Sequence, residues 1–307
     1  MHKITGAALA AAAVCFAGPA LAQQQAAPPL GPDFSKVTIK TFDLGNRTYM
    51  LEGAGGNSTI AVGDDGVIMV DGQFAPLHDK LKAAIAAVTP QPVKFLVNSH
   101  YHRDHVGGNV PFSKDGATVV AHENVRTRLA SGATMIVPDV KIPPAPPEAL
   151  PAQIYTDALK LEVKGRAAQL AHPLNAHTDG DTYVYFADAN VLSTGDTVAM
   201  GRYPNIDFGN GGNIKGMIAA ADAYLALAND ATKIVPGHGP LASKAQLVEY
   251  RAMLVTARDR MAKLIAEGKS LDDVYAAKPF ADFDVKFNLP EQASKNWMRV
   301  VYASLKS

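Results

Sequence analysis

Along most of the chain, apolar residues either alternate with polar ones or gather in short blocks, and each block ends at a turn-forming cluster. Blocks of four to eight β-branched or apolar residues bounded by Gly, Asn and Asp are the pattern of strands. Strands are thus predicted at 37–44, 48–51, 58–62 and 67–70, separated by glycine-rich turns at 53–57 and 63–66. From Pro76 to Val88 the period lengthens to that of a helix, with Leu77, Leu81, Ile85 and Val88 on one face and Pro90 as its stop. Further strands are predicted at 93–98 and 117–121, a helix opens near Glu123, and the proline-rich 137–151 reads as irregular chain.

The second half repeats the style. Strands are predicted at 159–163, 168–172, 182–186 and 191–194, the last two forming a hairpin. A loop rich in Gly and Asn, 200–213, leads into a helix over 214–227 and a short strand at 233–235. A long amphipathic helix over 243–267 and two shorter ones, 271–277 and 290–305, complete the chain, with 280–283 between the last two. Strands followed by helices in each half predict an α/β (α+β) fold, with two sheets face to face and helices outside.

Length and composition narrow the picture. A chain of 307 residues, 48% hydrophobic and 19% charged, can bury one large layered core with a small appendage. Lys+Arg and Asp+Glu both total 29, so no net field draws in nucleic acid or an anionic membrane. Residues 1–22 read as a signal peptide, with a basic start, a short apolar run and Ala20-Leu21-Ala22 as the cleavage site. The run is too short to span a bilayer, so no stable membrane insertion is expected, and the mature chain belongs in the periplasm or outside the cell. Residues 23–33 read as a flexible leader. The one cysteine, Cys15, leaves with the signal, so a metal site must use His, Asp or Glu.

Candidate chemistry concentrates after the 93–98 strand. His100-Tyr101-His102-Arg103-Asp104-His105 holds three imidazoles and a carboxylate in six residues, ahead of Gly107-Gly108. Imidazole and carboxylate are the donors that borderline divalent ions prefer, zinc above all, and a strand-end loop lets them converge. A solvated histidine-rich turn is the bland alternative.

The H-x-H-x-D-H cluster resembles the signature of the metallo-β-lactamase superfamily, and further motifs follow in that family's order. These are His177 in Ala176-His177-Thr178-Asp179-Gly180-Asp181-Thr182, Asp196 in Ser193-Thr194-Gly195-Asp196-Thr197, and His238 in Pro236-Gly237-His238-Gly239. The resemblance covers roughly 34–267. It implies a four-layer αββα sandwich with a catalytic domain over 34–268, a C-terminal helical extension over 269–307, and two Zn2+ ions at one edge of the sheets. It assigns His100, His102 and His177 to one ion, Asp104, His105 and His238 to the other, and Asp196 to both. The implied reaction is hydrolysis of a small-molecule carbonyl substrate by a zinc-bridging hydroxide, with Asp104 orienting the water or taking its proton.

Other polar residues carry smaller expectations. Asp71, after the 67–70 strand, matches a position that orients ligands in the family, or is a plain turn residue. His172 reads as structural, His78 and His122 as surface or capping residues, and Asp179 and Asp181 as turn residues supporting His177. The glycine-rich tip 52–57 and the loop 200–213, with Tyr203, Phe208 and Asn210, are expected to flank the metals. Trp297 and Tyr302 either roof the pocket, form a dimer contact or pack in the core.

The substrate is open between a cyclic amide, a lactone and a thioester. Asp196 as a bridging carboxylate resembles the thioesterase and lactonase sites, and Thr197-Val198-Ala199 offers no lysine for a β-lactam carboxylate, so a dedicated β-lactamase is the alternative; Arg202 and Lys215 are candidate substitutes for that lysine. A non-catalytic periplasmic zinc-binding protein is the alternative of another class, and an iron protein is disfavoured because His102 is not glutamate.

Overall fold

Two apolar-faced sheets must cover each other and still hide their outer faces, which is why the chain settles into four layers. The structure, a computed structural model, describes His2 and residues 32–306. The signal segment, apart from His2, and nearly all of the leader fall outside those residues. The first sheet takes β1 (Lys40–Gly45), β2 (Thr48–Glu52), β3 (Ser58–Val62), β4 (Val67–Val70), β5 (Val93–Val97), β6 (Thr118–His122) and β9 (Gln153–Tyr155), side by side in that order. Neighbours β1 to β4 are antiparallel, while β4, β5, β6 and β9 run parallel. The second sheet orders β10 (Ala158–Val163), β11 (Arg166–Ala171), β12 (Tyr183–Phe186), β13 (Val191–Ser193) and β14 (Lys233–Val235), with only the last pair parallel.

Side-chain alternation assigns each strand to two interiors. In β4, Ile68 and Val70 enter the core between the sheets, while Val67 and Met69 enter the core beneath the outer helices. That explains why β4 reads as an unbroken apolar run: both faces are covered. The first sheet's outer core is closed by α1 (His78–Ala86), through Leu81 and Ile85 with Leu77 just ahead of it, and by Phe112 of α3 (Asn109–Lys114). A smaller cluster joins Tyr101 and Val106 to Val125 and Leu129 of α4 (Glu123–Ser131).

On the other side lie α5 (Ile214–Leu227) and α6 (Lys244–Ala266), the latter opened by a Ser243–Gln246 capping box. They are followed by α7 (Leu271–Ala277), α8 (Ala281–Phe287) and α9 (Glu291–Lys306). Met217 and Ala221 of α5, Leu254 of α6 and Trp297 and Val301 of α9 share one core. None of the described helices is long and apolar enough to cross a membrane.

Three local expectations are corrected. The proline-rich stretch is partly regular, because β8 (Asp139–Ile142) pairs with β7 (Ala133–Ile136) in a separate hairpin. Prolines 138, 143 and 144 flank β8 rather than interrupt it, so its ladder hydrogen bonds survive. The segment after His102 is helical, as α2 (Arg103–Val106) and then α3, both too short for periodicity to reveal. The separator at 280–283 mostly belongs to α8.

Candidate metal centre

The seven candidate residues come together where parallel strands end. His100 and His102 follow β5, Asp104 and His105 sit on α2, Asp196 follows β13, His238 follows β14, and His177 precedes β12. Loops beyond the carboxyl ends of parallel strands are where an α/β fold leaves a crevice. Three overlapping sets of potential ligands result: His100, His102 and His177; His100, His105 and Asp196; Asp104, His105 and His238.

In the first set, His100 Nε2 and His177 Nε2 each lie 3.0 Å from His102 Nδ1. The outer nitrogen of each ring has an acceptor. His100 Nδ1 donates to Ser99 Oγ at 3.0 Å, His102 Nε2 to Asp207 Oδ2 at 3.1 Å, and His177 Nδ1 to the Asn205 carbonyl at 2.8 Å. With protons on the outer nitrogens, three lone pairs face one another, an arrangement that only a cation between them relieves. Electrostatics agree: burial, aided by the neighbouring histidines, drives His100 well below the ordinary histidine range and His177 down to about 4, so both are neutral donors.

The second half of the site is richer in charge. His105 Nδ1 donates to Asp71 Oδ2 at 2.8 Å, which turns Nε2 inward. That atom lies 3.3 Å from Asp196 Oδ1 and 3.7 Å from Asp104 Oδ2. His238 Nε2 lies 3.3 Å from Asp104 Oδ2 and 3.4 Å from Asp196 Oδ2. Burial opposes ionisation of Asp196, but His238 and His105 hold it well below the usual carboxylate range, and Asp104 is held down in the same way by His105 and His238. In return Asp196, working against burial, lifts His238 to about 9. Two buried atoms here, His105 Nε2 and Asp196 Oδ1, have no hydrogen-bond partner among the described residues. A divalent ion between them would satisfy both, so the donor set fits a pair of metal ions.

Close backbone approach makes room for these groups. A Cβ at Gly56 would stand 2.1 Å from His105 Cε1, and one at Gly237 would stand 2.0 Å from Asp196 Oδ1. The glycine-rich tip 53–57 therefore lies directly against a candidate ligand. Asp71, held at a φ of 61°, binds Ser99 N at 2.7 Å as well as His105, so it is more than a turn residue. Asp181 accepts from the His177 and Thr178 amides at 2.6 and 2.9 Å and shapes the turn that presents His177. Asp179 instead pairs with Arg128 at 2.6 Å.

Sequence reasoning missed Asp207. It sits in the 200–213 loop, is 3% exposed, and joins His102 to the Tyr101 hydroxyl and to Asn210 Nδ2. Asn210 thus supports an orienting residue, and Tyr203 is turned away to stack on Trp297 at 5.3 Å. Trp297 itself packs in the core, and Tyr302 donates to the Lys269 carbonyl. His172 stacks on His122 at 3.9 Å, and His122 caps α4 yet is only 4% exposed, so it is no surface residue. His78 begins α1 between Asp79 and Asp115.

Residues 51–238, which carry all seven candidates, match the family model described as the metallo-beta-lactamase superfamily. The chain belongs to the metallo-β-lactamase superfamily. Solved metallo-β-lactamases share its fold. The enzyme from Pontibacter korlensis superposes with a TM-score of 0.58 at 18% identity, over 71% of this chain and 99% of that one. The DIM-1 metallo-β-lactamase gives 0.58 at 15%, over 72% and 100%. At such identities the likeness shows the fold alone. Among curated proteins, the 2,4-dinitroanisole O-demethylase subunit alpha of Nocardioides sp. (strain JS1661) is 28% identical over 151 residues, 48% of this chain and 43% of the relative. The match therefore spans less than half of that relative's length.

Proposed function

We propose that this superfamily hydrolase is an exported zinc enzyme that opens a lactone, thioester or cyclic amide, with His100, His102 and His177 on one ion, Asp104, His105 and His238 on the other, and Asp196 between them. The observation that carries this reading is the convergence of seven imidazole and carboxylate side chains in one crevice, where the buried His105 Nε2 and Asp196 Oδ1 have no hydrogen-bond partner among the described residues. Ions bound there would supply a water acidified towards neutral pH and a Lewis acid for the substrate carbonyl. The protein's own part is positional. Asp71, Asp207 and the Asn205 carbonyl fix three ring orientations, and Asp196 brings its carboxylate to both halves. Asp104, a partly exposed carboxylate kept ionised by His105 and His238, can orient the incoming water and hold its proton. An ion store has no use for such a carboxylate, which favours the enzyme over a binding protein.

A panel of a lactone, a thioester and a β-lactam tests this, with protein assayed before and after chelation and reloading. Because the relative's name describes demethylation of 2,4-dinitroanisole, that activated aryl ether joins the panel as a second reading of the same water chemistry. Turnover of one member, lost with chelator and restored by zinc, supports the proposal. Fully zinc-loaded protein inert towards all four would overturn it. Recovery of the chain from the periplasm with residues 1–22 removed tests export.

A further inference from the structure

The three-histidine half of the centre is assembled from distant parts of the chain. His100 and His102 follow β5, whereas His177 comes from the turn before β12. The His102 ring is oriented by Asp207, which lies on the 200–213 loop, so the separation of His102 from His177 depends on how that loop sits against the His177 turn. The loop's own regular structure is a single short turn of helix, Phe208–Asn210. Its contacts with the turn are polar: the Asp207 amide donates to the His177 carbonyl at 2.9 Å, and the Asp179 amide donates to the Asn210 carbonyl at 3.0 Å.

Arg128, on α4, closes this junction from the first half of the chain. Its Nε and Nη2 donate to the two carboxylate oxygens of Asp179 at 3.2 and 2.6 Å, and its Nη1 donates to Asn210 Oδ1 at 2.8 Å. Asn210 in turn directs its Nδ2 to both oxygens of Asp207, each at 2.9 Å, and to the Thr134 carbonyl of β7. One path therefore runs from Arg128 through Asn210 and Asp207 to the His102 ring, and another runs through Asp179 into the turn that carries His177. A planar guanidinium presents donors on more than one edge, so it can hold a carboxylate and an amide oxygen in fixed relation, which a lysine ammonium on its flexible stem does not. Such precision matters because metal ligands must be held within about 0.5 Å of their working positions by the groups behind them.

We propose that Arg128 is a positioning residue for the three-histidine half: by joining Asp179 to Asn210 it fixes the spacing of His177 and His102. The role rests on the reading in which those histidines share an ion. It touches neither ion nor substrate, and it acts through the two ligand supports alone.

The test reads zinc rather than turnover. Full-length protein is titrated with zinc against a chromophoric chelator that resolves the binding steps, and the step weakened by Asp207→Asn marks the three-histidine half. Arg128→Gln should weaken that step about 3–10-fold and leave the other within about twofold, less than the roughly 10–100-fold typical of a ring's direct partner. Arg128→Lys, which keeps the charge without the fork, should retain only part of the affinity, and it carries the comparison if Arg128→Gln does not melt cooperatively. Combining Arg128→Gln with Asp207→Asn should cost less than the product of the two single losses, because the residues share a path. Arg126→Gln is the structural control, since Arg126 on the same helix donates to the Pro151 carbonyl instead; it should lower the Tm of stripped protein and leave both zinc steps unchanged. The proposal is overturned by unchanged zinc affinity in Arg128→Gln, by full affinity in Arg128→Lys, by a loss spread equally over both steps, by losses that multiply in the double variant, or by an equal loss in Arg126→Gln. A loss confined to one step in protein that hydrolyses nothing would uphold Arg128 while removing the proposed reaction.

Discussion

His105 Nε2 and Asp196 Oδ1 face each other at 3.3 Å in the buried centre, and neither has a hydrogen-bond partner among the described residues. Their placement ties folding to metal occupancy, since a ligand that binds only the folded chain raises its stability. With free zinc about a hundredfold above its dissociation constant the gain is about 2.7 kcal/mol, so chelation should lower Tm by about 5–10 °C. Asp196→Asn should shrink that drop and reduce the zinc content from two ions towards one. Elemental analysis paired with melting curves checks both, and an unchanged metal count would remove Asp196 from the ligand set.

Asp207 acts at one remove, through the His102 ring. Losing the partner of a ligating histidine typically weakens metal affinity about 10–100-fold. Asp207→Asn should show a loss in that range by competition against a chromophoric chelator, and Tyr101→Phe a smaller one, because the Tyr101 hydroxyl bonds Asp207 rather than the ring nitrogen and Phe keeps the 4.6 Å ring contact with His102. Equal affinities in all three proteins would make the contact incidental.

How much of this was readable in the chain follows from where each signal sits. His100, His102, Asp104 and His105 are legible because a rigid strand end packs them into six consecutive positions. Asp207 is not, because it lies among Gly and Asn residues with no period, and only the return of the loop against α4 and β7 brings it to His102. Strands such as β4 were legible from composition, since β-branched runs bounded by glycine have few alternatives. The pairing of β7 with β8 was hidden by flanking prolines that break pattern without breaking the ladder. The C-terminal helices were legible as helices, but their amphipathic spacing carries no information about which core they join.

Gly237 offers a second test of the centre. A methyl there would meet Asp196 Oδ1 at 2.0 Å and the backbone of Gly195 and Asp196 at 2.6 and 2.8 Å, so the carboxylate and the turn that carries it must both shift. Gly237→Ala should keep a cooperative melt of the metal-stripped protein within about 1–3 kcal/mol of the original while losing zinc uptake. Normal zinc content in the variant would show that Asp196 has more freedom than the packing implies.

His122 sets an acid limit on stability away from the metals. Burial, with His172 stacked against the ring, pulls it from 6.5 to about 4. Its Nδ1 accepts the Asn124 amide at 3.2 Å, so the ring caps α4 only while unprotonated. The unfolded chain takes up this proton at higher pH than the folded one, so the contribution is complete above the ordinary histidine range and is lost as pH falls from 6.5 towards about 4. His122→Asn keeps a capping oxygen but has nothing to titrate. Melting curves of both proteins with chelator present should converge on acidification, with the unaltered chain losing more stability across that window. Parallel curves would show that the stacked pair carries no pH dependence of its own.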